Sequence, residues 1–202
     1  WTSHEKIDFY CELYACWFSR GSEQIISGPE NGRLDVFCQS ISEISPHQLW
    51  VTSSVLGQIL RDSNLLSLVR EVTCWFCIGA PLPIKLCDDF FAKFPNSRLF
   101  GVYSDASLGP CFCTEIVNDE RRPGINYLGE VLGGIDAHIL ETSYKHAPYG
   151  VPGQLVLSCY DSVGGGGTSK VEFEKYLENQ FKTKKLVFTR SLVRRWNDGG
   201  IE

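Results

Sequence analysis

The sequence predicts an α/β fold: a layered sheet with helices, followed by a smaller β-rich part. Within the first 120 residues, short apolar runs alternate with segments of helical period. Such alternation of strands and helices is typical of a layered α/β sheet. From about Gly124 the strands follow one another with Gly between them and without helices, which indicates a β-rich subdomain. The 202 residues are 43% hydrophobic and 21% charged, so the chain can bury a core.

Each element of the first part has its own local pattern. In "VTSSVLGQILRDS" the residues Val55, Ile59 and Leu60 recur at helical spacing directly after a strand. The stripe in "IKLCDDFFAKFP" predicts a helix that stops at Pro95, because proline cannot continue a helix. The predicted elements are, in order, a helix at 7–21, a strand at 22–27, a helix at 33–44, a strand and helix within 48–63, a strand within 68–80, a helix at 84–95 and a strand at 98–104.

In the second part, glycines separate the predicted strands. Two Gly-rich segments, 127–141 and 150–162, predict short strands, and "KVEFEKYLENQF" at 170–181 predicts an amphipathic helix. The last segment, 185–202, predicts two strands around a tight Asn-Asp-Gly-Gly turn. Residues 164–167 are all glycine, and we interpret them as a flexible loop rather than a phosphate-binding one.

Charge and hydropathy exclude several classes of function. The net charge of −5 argues against a nucleic-acid partner, which favours a basic surface. No window of about 18 apolar residues and no secretory leader occur, so we expect a cytoplasmic chain without a membrane partner. The chain begins with Trp1 and contains no methionine, which indicates a segment of a longer polypeptide.

The nine cysteines allow two interpretations. Cys74 and Cys77 have C-x-x-C spacing, and Cys111 with Cys113 could complete a zinc site. However, the segment around Cys74 reads as a buried strand, in which residues three apart point to opposite faces. We therefore favour packed, reduced thiols over a metal module.

Five stretches in order resemble the adenylate-forming enzymes, which include adenylation domains of nonribosomal peptide synthetases, acyl-CoA synthetases and β-alanine-activating enzymes. "IDFYCELYACWFSRG" is similar to the Phe-Asp segment, and the segment ending "CIGAPLP" to the helix, strand and Gly-Gly-Glu-Ala-Leu turn. "RLFGVYSDAS" resembles the strand before Tyr-Gly-Pro-Thr-Glu. "YLGEVLGGIDAHIL" with "GVPGQLVLSC" resembles two later strands, and "FTRSLVRRWNDGG" the motif Thr-Gly-Asp-Leu-Val-Arg-x-x-x-Asp-Gly.

The resemblance implies the second half of a large adenylation domain. Residues 1–123 would form its α/β layered part, and residues 124–202 a barrel-like β-rich subdomain, truncated before the small C-terminal domain. The family's phosphate loop lies upstream and its catalytic lysine downstream. The expected partners are therefore the rest of the same polypeptide and carrier or other protein domains.

The resemblance also locates nucleotide-binding positions, most of which are altered. Tyr103 matches the tyrosine near adenine, whereas Ser104, Ala106 and Ser107 replace the glycine, the threonine and the Mg²⁺-binding glutamate of the family loop. A neutral hydroxyl is a poor substitute for a carboxylate on a hard cation. Asp105 is the alternative metal ligand, but it lies two residues early.

Further carboxylates of the family motifs are also replaced. Ser191 takes the place of the ribose-binding aspartate in the triplet Thr189-Arg190-Ser191, and "IGAP" at 78–81 replaces Gly-Gly-Glu-Ala. Asp8 is retained; it matches the aspartate that pairs with a substrate ammonium in amino-acid-activating relatives. A solvated acid at a helix start is the alternative role for Asp8.

These substitutions predict a degenerate adenylate-forming domain: a pseudoenzyme, or a structural and protein-contact module, with no catalytic residue and no resident metal. The rival hypothesis is an active ligase that uses ATP and Mg²⁺ to activate an amino or carboxylic acid as an acyl-adenylate. In that case metal ligands would come from Asp105 or from outside this segment.

Overall fold

The computed structural model describes residues 33–79, 82–105, 108–117, 127–160 and 184–202. The chain divides into two compact units, Trp1–Leu128 and Gly129–Glu202. The predicted helix at 7–21, strand at 22–27 and helix at 170–181 lie outside the described residues.

The part of the first unit that the structure describes contains strands of one sheet in the order β1-β2-β3-β4. Strands β1, β2 and β3 are parallel, and β4 runs antiparallel to β3. The pairing aligns Leu49 with Trp75 and Trp75 with Leu99, so these three side chains share a face. The strands are β1 (Gln48–Thr52), β2 (Cys74–Ile78), β3 (Arg98–Asp105) and β4 (Gly109–Ile116).

The described residues of this unit form helices α1 (Leu34–Ile44), α2 (Ser53–Arg61), α3 (Ser63–Leu68) and α4 (Ile84–Lys93) beside the sheet. Helix α2 begins directly after β1 because Thr52 caps it, with Oγ1 accepting from the Val55 N–H at 3.4 Å. Asp62 caps α3 in the same way, since its Oδ1 accepts from the Asn64 N–H at 2.9 Å.

The core lies between these helices and one face of the sheet. Trp75 is fully buried at its centre, and its indole packs against Phe90 and Phe94 with ring centroids 5.8 and 5.3 Å apart. Its Nε1 donates to the Val72 carbonyl at 3.2 Å, so the buried polar atom is satisfied. Buried apolar residues of each of these helices belong to this core.

The other face of the sheet carries a row of stacked rings. Trp50, Phe76 and Phe100 occupy aligned positions on the three parallel strands, with centroids 4.5 and 4.8 Å apart. Arg98 lies 4.8 Å above the Phe100 ring and donates to both carboxylate oxygens of Glu115 on β4. These cross-strand pairs reinforce the register of the parallel strands.

In the described residues of the second unit, strand β7 pairs antiparallel with both β6 and β8. Its three-stranded sheet has the order β6-β7-β8. The final turn brings Arg195 opposite Ile201 as an isolated bridge. Glu202 accepts from Arg194 Nη2 at 3.1 Å and from Trp196 Nε1 at 2.9 Å, which fixes this turn. The strands are β5 (Glu130–Val131), β6 (Ile135–Leu140), β7 (Gly153–Tyr160) and β8 (Lys184–Val193).

The structure confirms the α/β class and corrects three details. The segment 63–68 forms helix α3, and 109–116 forms strand β4, neither of which the sequence analysis assigned. The predicted last strand is reduced to the single bridge at Ile201. None of the described helices is long and apolar enough to cross a membrane.

Candidate functional site

The first candidate segment lies at the carboxyl end of β3. Tyr103 pairs with Phe112 on β4, and their rings meet edge to face with centroids 5.8 Å apart. The register shifts between Tyr103 and Ser104, because Ser104 pairs with Pro110 and Cys111 of β4 is left as the extra, bulged residue. Ala106 and Ser107, predicted at this site, lie outside the described residues.

Ser104 is the unusual residue of this segment. Its Oγ is buried, and the described residues offer it no hydrogen-bond partner. A buried hydroxyl without a partner costs about 1–3 kcal/mol. Asp105, the alternative metal ligand, is the last residue of β3 and pairs with Gly109.

The second candidate segment is a bulge in β8. Gln154 pairs with Leu192 and Val156 with Phe188, so one residue of β7, Leu155, faces three residues of β8. Those three are Thr189, Arg190 and Ser191. Strand β8 therefore bulges at the triplet that resembles the family's Thr-Gly-Asp motif.

Thr189 holds this bulge in place. It is 3% exposed, and its Oγ1 donates to the Leu155 carbonyl at 2.9 Å while accepting from the Ser191 N–H at 3.2 Å. Gln154 Nε2 donates to the Thr189 carbonyl at 2.9 Å. Thr189 thus satisfies part of the bulged backbone from within the chain.

The two residues that follow Thr189 in the bulge differ in charge and exposure. Ser191 is half-buried and neutral, and Arg190 is exposed and cationic. Asp8, the predicted substrate residue, lies outside the described residues.

A small polar network on β6 and β7 was not predicted from the sequence. Ser158 is fully buried, its Oγ lies 3.0 Å from His138 Nε2, and it donates to Asp136 at 3.4 Å. The His138 and His146 rings lie 5.6 Å apart. The partners of Ser158 lie 20 and 22 residues away on β6, so local sequence could not reveal them.

Most cysteines in the described part of the first unit are buried side chains: Cys38, Cys74, Cys77, Cys87 and Cys111. Cys74 and Cys77 are both buried on β2 and, three residues apart, point to opposite faces of the sheet. Burial raises the pKa of Cys77 to about 12, and burial together with Asp35 and Asp62 raises the pKa of Cys38 to about 11. Among the described residues no group of three or more His, Cys, Asp and Glu side chains is arranged to hold a metal ion.

We expect Cys38 and Cys77 to resist alkylation by iodoacetamide at pH 8, because only the thiolate reacts and both pKa values are raised. Mass spectrometry of the peptides measures the modified fraction. The half-exposed Cys159 serves as the internal control, and labelling in 8 M urea is expected to reach every thiol. Equal labelling of Cys77 and Cys159 in the native chain would contradict this packing.

Comparison with known proteins identifies the family of this chain. A family model described as AMP-binding enzyme matches residues 7–164. Tyrocidine synthase 3 of Brevibacillus parabrevis is 24% identical over 160 residues, which cover 76% of this chain and 2% of that protein. Surfactin synthase subunit 2 of Bacillus subtilis (strain 168) is 23% identical over 175 residues, which cover 82% of this chain and 5% of that protein.

Solved structures show the same fold. Apo MatB from Rhodopseudomonas palustris has a TM-score of 0.71 at 15% identity, over 96% of this chain and 36% of that chain. The nonribosomal peptide synthetase FmoA3 in its AMPPNP-bound form has a TM-score of 0.69 at 15% identity, over 89% of this chain and 20% of that chain.

Fold and motif order thus define an α/β domain of the adenylate-forming type. The chain belongs to the AMP-binding enzyme family. It spans only a small share of the multidomain synthetases that it matches.

Proposed function

We propose that this chain is a degenerate adenylate-forming domain, which keeps the family scaffold and does not activate an acid with ATP. The observation that carries the proposal is the β8 bulge. Thr189 and Gln154 preserve its backbone, while Arg190 and Ser191 replace the residues that would approach and bind a ribose.

The three residues of the bulge divide by role. Thr189 stabilises the backbone, whereas Arg190 and Ser191 stand where the family has nucleotide-binding residues. A glycine at position 190 would let a ligand approach the backbone, whereas Arg190 places a long cationic side chain there. The loss of the aspartate removes about 2–3 kcal/mol of nucleotide binding, the difference that charged hydrogen bonds make. Together with Ser107 at the metal position, these substitutions remove the groups that would bind sugar and Mg²⁺.

In this proposal the domain serves as a structural or protein-contact module of a larger synthetase-like polypeptide. The relatives it resembles are much longer chains, of which it covers 2% and 5%. Its partners are then the remaining parts of its own polypeptide and carrier or other protein domains. If Asp8 retains its family role, an amino-bearing ligand is recognised without being activated.

ATP–pyrophosphate exchange tests this proposal on the full-length protein. With a panel of amino and carboxylic acids and Mg²⁺, we expect exchange no higher than in a reaction without acid, because the metal and ribose carboxylates are absent. An active adenylation enzyme run in parallel serves as the positive control. Acid-dependent exchange that Tyr103→Ala abolishes would contradict the proposal.

A second candidate, the active ligase, has one specific observation in its favour. The buried Ser104 Oγ has no partner among the described residues, and a polar ligand at this loop would satisfy it. Asp105 would then be the nearest carboxylate for a metal. Under this hypothesis the protein catalyses ATP–pyrophosphate exchange, and Ser104→Gly and Asp105→Asn each lower the exchange rate. Under the first proposal there is no exchange to lower.

A further inference from the structure

Two histidines, His138 and His146, lie on the same face of a hairpin in the second unit. Strand β6 ends at Leu140, and the chain then turns back so that His146 comes opposite Leu140 as an isolated antiparallel bridge. Two backbone hydrogen bonds of 2.9 Å flank this bridge on either side. Leu140 and His146 are therefore a non-hydrogen-bonded pair, in which the side chains of the two chain segments lie close together.

The register makes the two imidazoles diagonal neighbours. His138 precedes Leu140 by two residues on β6, so its side chain points to the face that also carries His146. The ring centroids of His138 and His146 are 5.6 Å apart, and the ring planes are inclined by 53°. Because a Zn–N bond is about 2.0–2.1 Å long, two imidazoles on one tetrahedral zinc ion have centroids roughly 5 Å apart. A small rotation of the exposed His146 side chain therefore brings both rings to one metal ion.

A chain of hydrogen bonds fixes the tautomer of His138. Ser158 is fully buried, and its Oγ donates to Asp136 Oδ2 at 3.4 Å. A hydroxyl has a single hydrogen, and a carboxylate is a stronger acceptor than a neutral imidazole. We therefore assign the 3.0 Å contact between Ser158 Oγ and His138 Nε2 as a donation by the Nε2–H. His138 Nδ1 then carries the lone pair with which a neutral imidazole binds a metal ion.

The same hydrogen bonds support His138 as a metal ligand. A histidine that binds a metal almost always donates its other ring N–H to an acceptor, which orients the ring and raises its basicity. Here Ser158 Oγ is that acceptor, and the carboxylate of Asp136 supplies the negative charge behind it. This observation is independent of the distance between the two rings.

We propose that His138 and His146 bind a divalent transition-metal ion such as Zn²⁺. His138 Nδ1 and one ring nitrogen of His146 are the protein ligands, and the metal takes the place of any hydrogen-bond donor at those lone pairs. Water completes the coordination. Imidazole nitrogen suits Zn²⁺, Cu²⁺ and Ni²⁺, whereas Mg²⁺ and Ca²⁺ prefer oxygen ligands.

The metal ion at this pair is exchangeable. A permanent zinc site has three or four protein ligands, and the pair supplies two. The described residues contain no group of three or more ligating side chains, so the ion is bound here without a third histidine, cysteine or carboxylate. The site uses no thiol, lies within the second unit, and does not depend on whether the domain activates an acid.

Titration of the full chain with ZnCl₂, followed through the imidazole nitrogens by two-bond ¹H–¹⁵N NMR, tests the proposal. With the thiols kept reduced, we expect the resonances of His138 Nδ1 and of His146 to shift saturably below about 1 mM Zn²⁺. His47, which is exposed and contacts Thr73, is expected not to shift. MgCl₂ is expected to leave all three unchanged. Unshifted resonances of His138 and His146 with ZnCl₂, or an equal shift of His47, would overturn the proposal.

The substitutions His146→Gln and His47→Gln form a matched pair, since both side chains are exposed. The first is expected to abolish the zinc-dependent shift of His138, and the second to leave it unchanged. Equal effects of the two substitutions would contradict the site.

Ser158→Ala distinguishes a supported metal site from two imidazoles that are merely close. It keeps both ligands and removes the acceptor of the His138 Nε2–H, so we expect the zinc affinity to fall about tenfold. Unchanged affinity would contradict the role of Ser158. If far-UV circular dichroism shows that Ser158→Ala is unfolded, Asp136→Asn decides, because Asp136 is exposed. A several-fold loss of zinc affinity in that variant supports the proposal, and no loss contradicts it.

Discussion

Replacing Trp75 by alanine is expected to lower the free energy of unfolding by about 3–5 kcal/mol. Trp75 is fully buried in the first unit, and its ring contacts Phe90 and Phe94 of α4. Its removal leaves a large cavity between β2 and α4, and it also leaves the Val72 carbonyl with Ser97 Oγ as its remaining side-chain donor. Urea denaturation followed by far-UV circular dichroism measures the change.

Trp50→Ala is the matched control on the neighbouring strand. Trp50 is half-exposed on the opposite face of the sheet, where it stacks on Phe76 at 4.5 Å. We expect this variant to cost about 1–2 kcal/mol, because it removes less buried area. Equal losses of unfolding free energy in Trp75→Ala and Trp50→Ala would contradict the assignment of the core to the Trp75 face of the sheet.

Gly153→Ala is expected to destabilise the second unit by about 3 kcal/mol, at the upper end of what overpacking costs. A Cβ built on Gly153 would lie 2.7 Å from the Leu140 carbonyl oxygen and 2.8 Å from Ile139 Cγ2. The first of these atoms is backbone of β6, which pairs with β7, so only a shift of a whole strand could make room. Thermal unfolding and hydrogen exchange of β6 and β7 measure the effect.

Gly133→Ala is the control for this prediction. An added Cβ at Gly133 meets nothing within 4 Å. The variant is therefore expected to stay within about 0.5 kcal/mol of the parent, with a small gain from the reduced freedom of the unfolded chain. A Gly153→Ala variant as stable as Gly133→Ala would show that β6 and β7 do not approach as closely as described.

The regular elements could be predicted because each carries its own pattern. The helical spacing of Val55, Ile59 and Leu60 predicts α2, and the apolar stripe before Pro95 predicts α4. Helix α3 was missed because its six residues are too few for a periodic pattern, although Asp62 is a good capping residue. Strand β4 was missed because Gly109 and Pro110 at its start are typical of turns.

The geometry of the candidate site was harder to predict from the sequence, because it depends on contacts between residues that are far apart in the chain. The substitutions at Arg190 and Ser191 are visible in a motif, but the bulge depends on the register of β8 against Leu155, 34 residues away from Thr189. The contact of Ser158 with His138 likewise joins residues 20 apart in sequence. Residue types can therefore suggest lost chemistry, whereas only the pairing of strands shows which backbone features remain.

In this account, the chain retains the adenylate-forming scaffold but does not bind nucleotide with useful affinity. Equilibrium titration of the full-length protein with ATP and Mg²⁺, and separately with AMP, measures this directly by calorimetry. We predict no saturable binding below about 1 mM, and no change on Tyr103→Ala. Binding of either nucleotide in the micromolar range that Tyr103→Ala weakens would contradict the account.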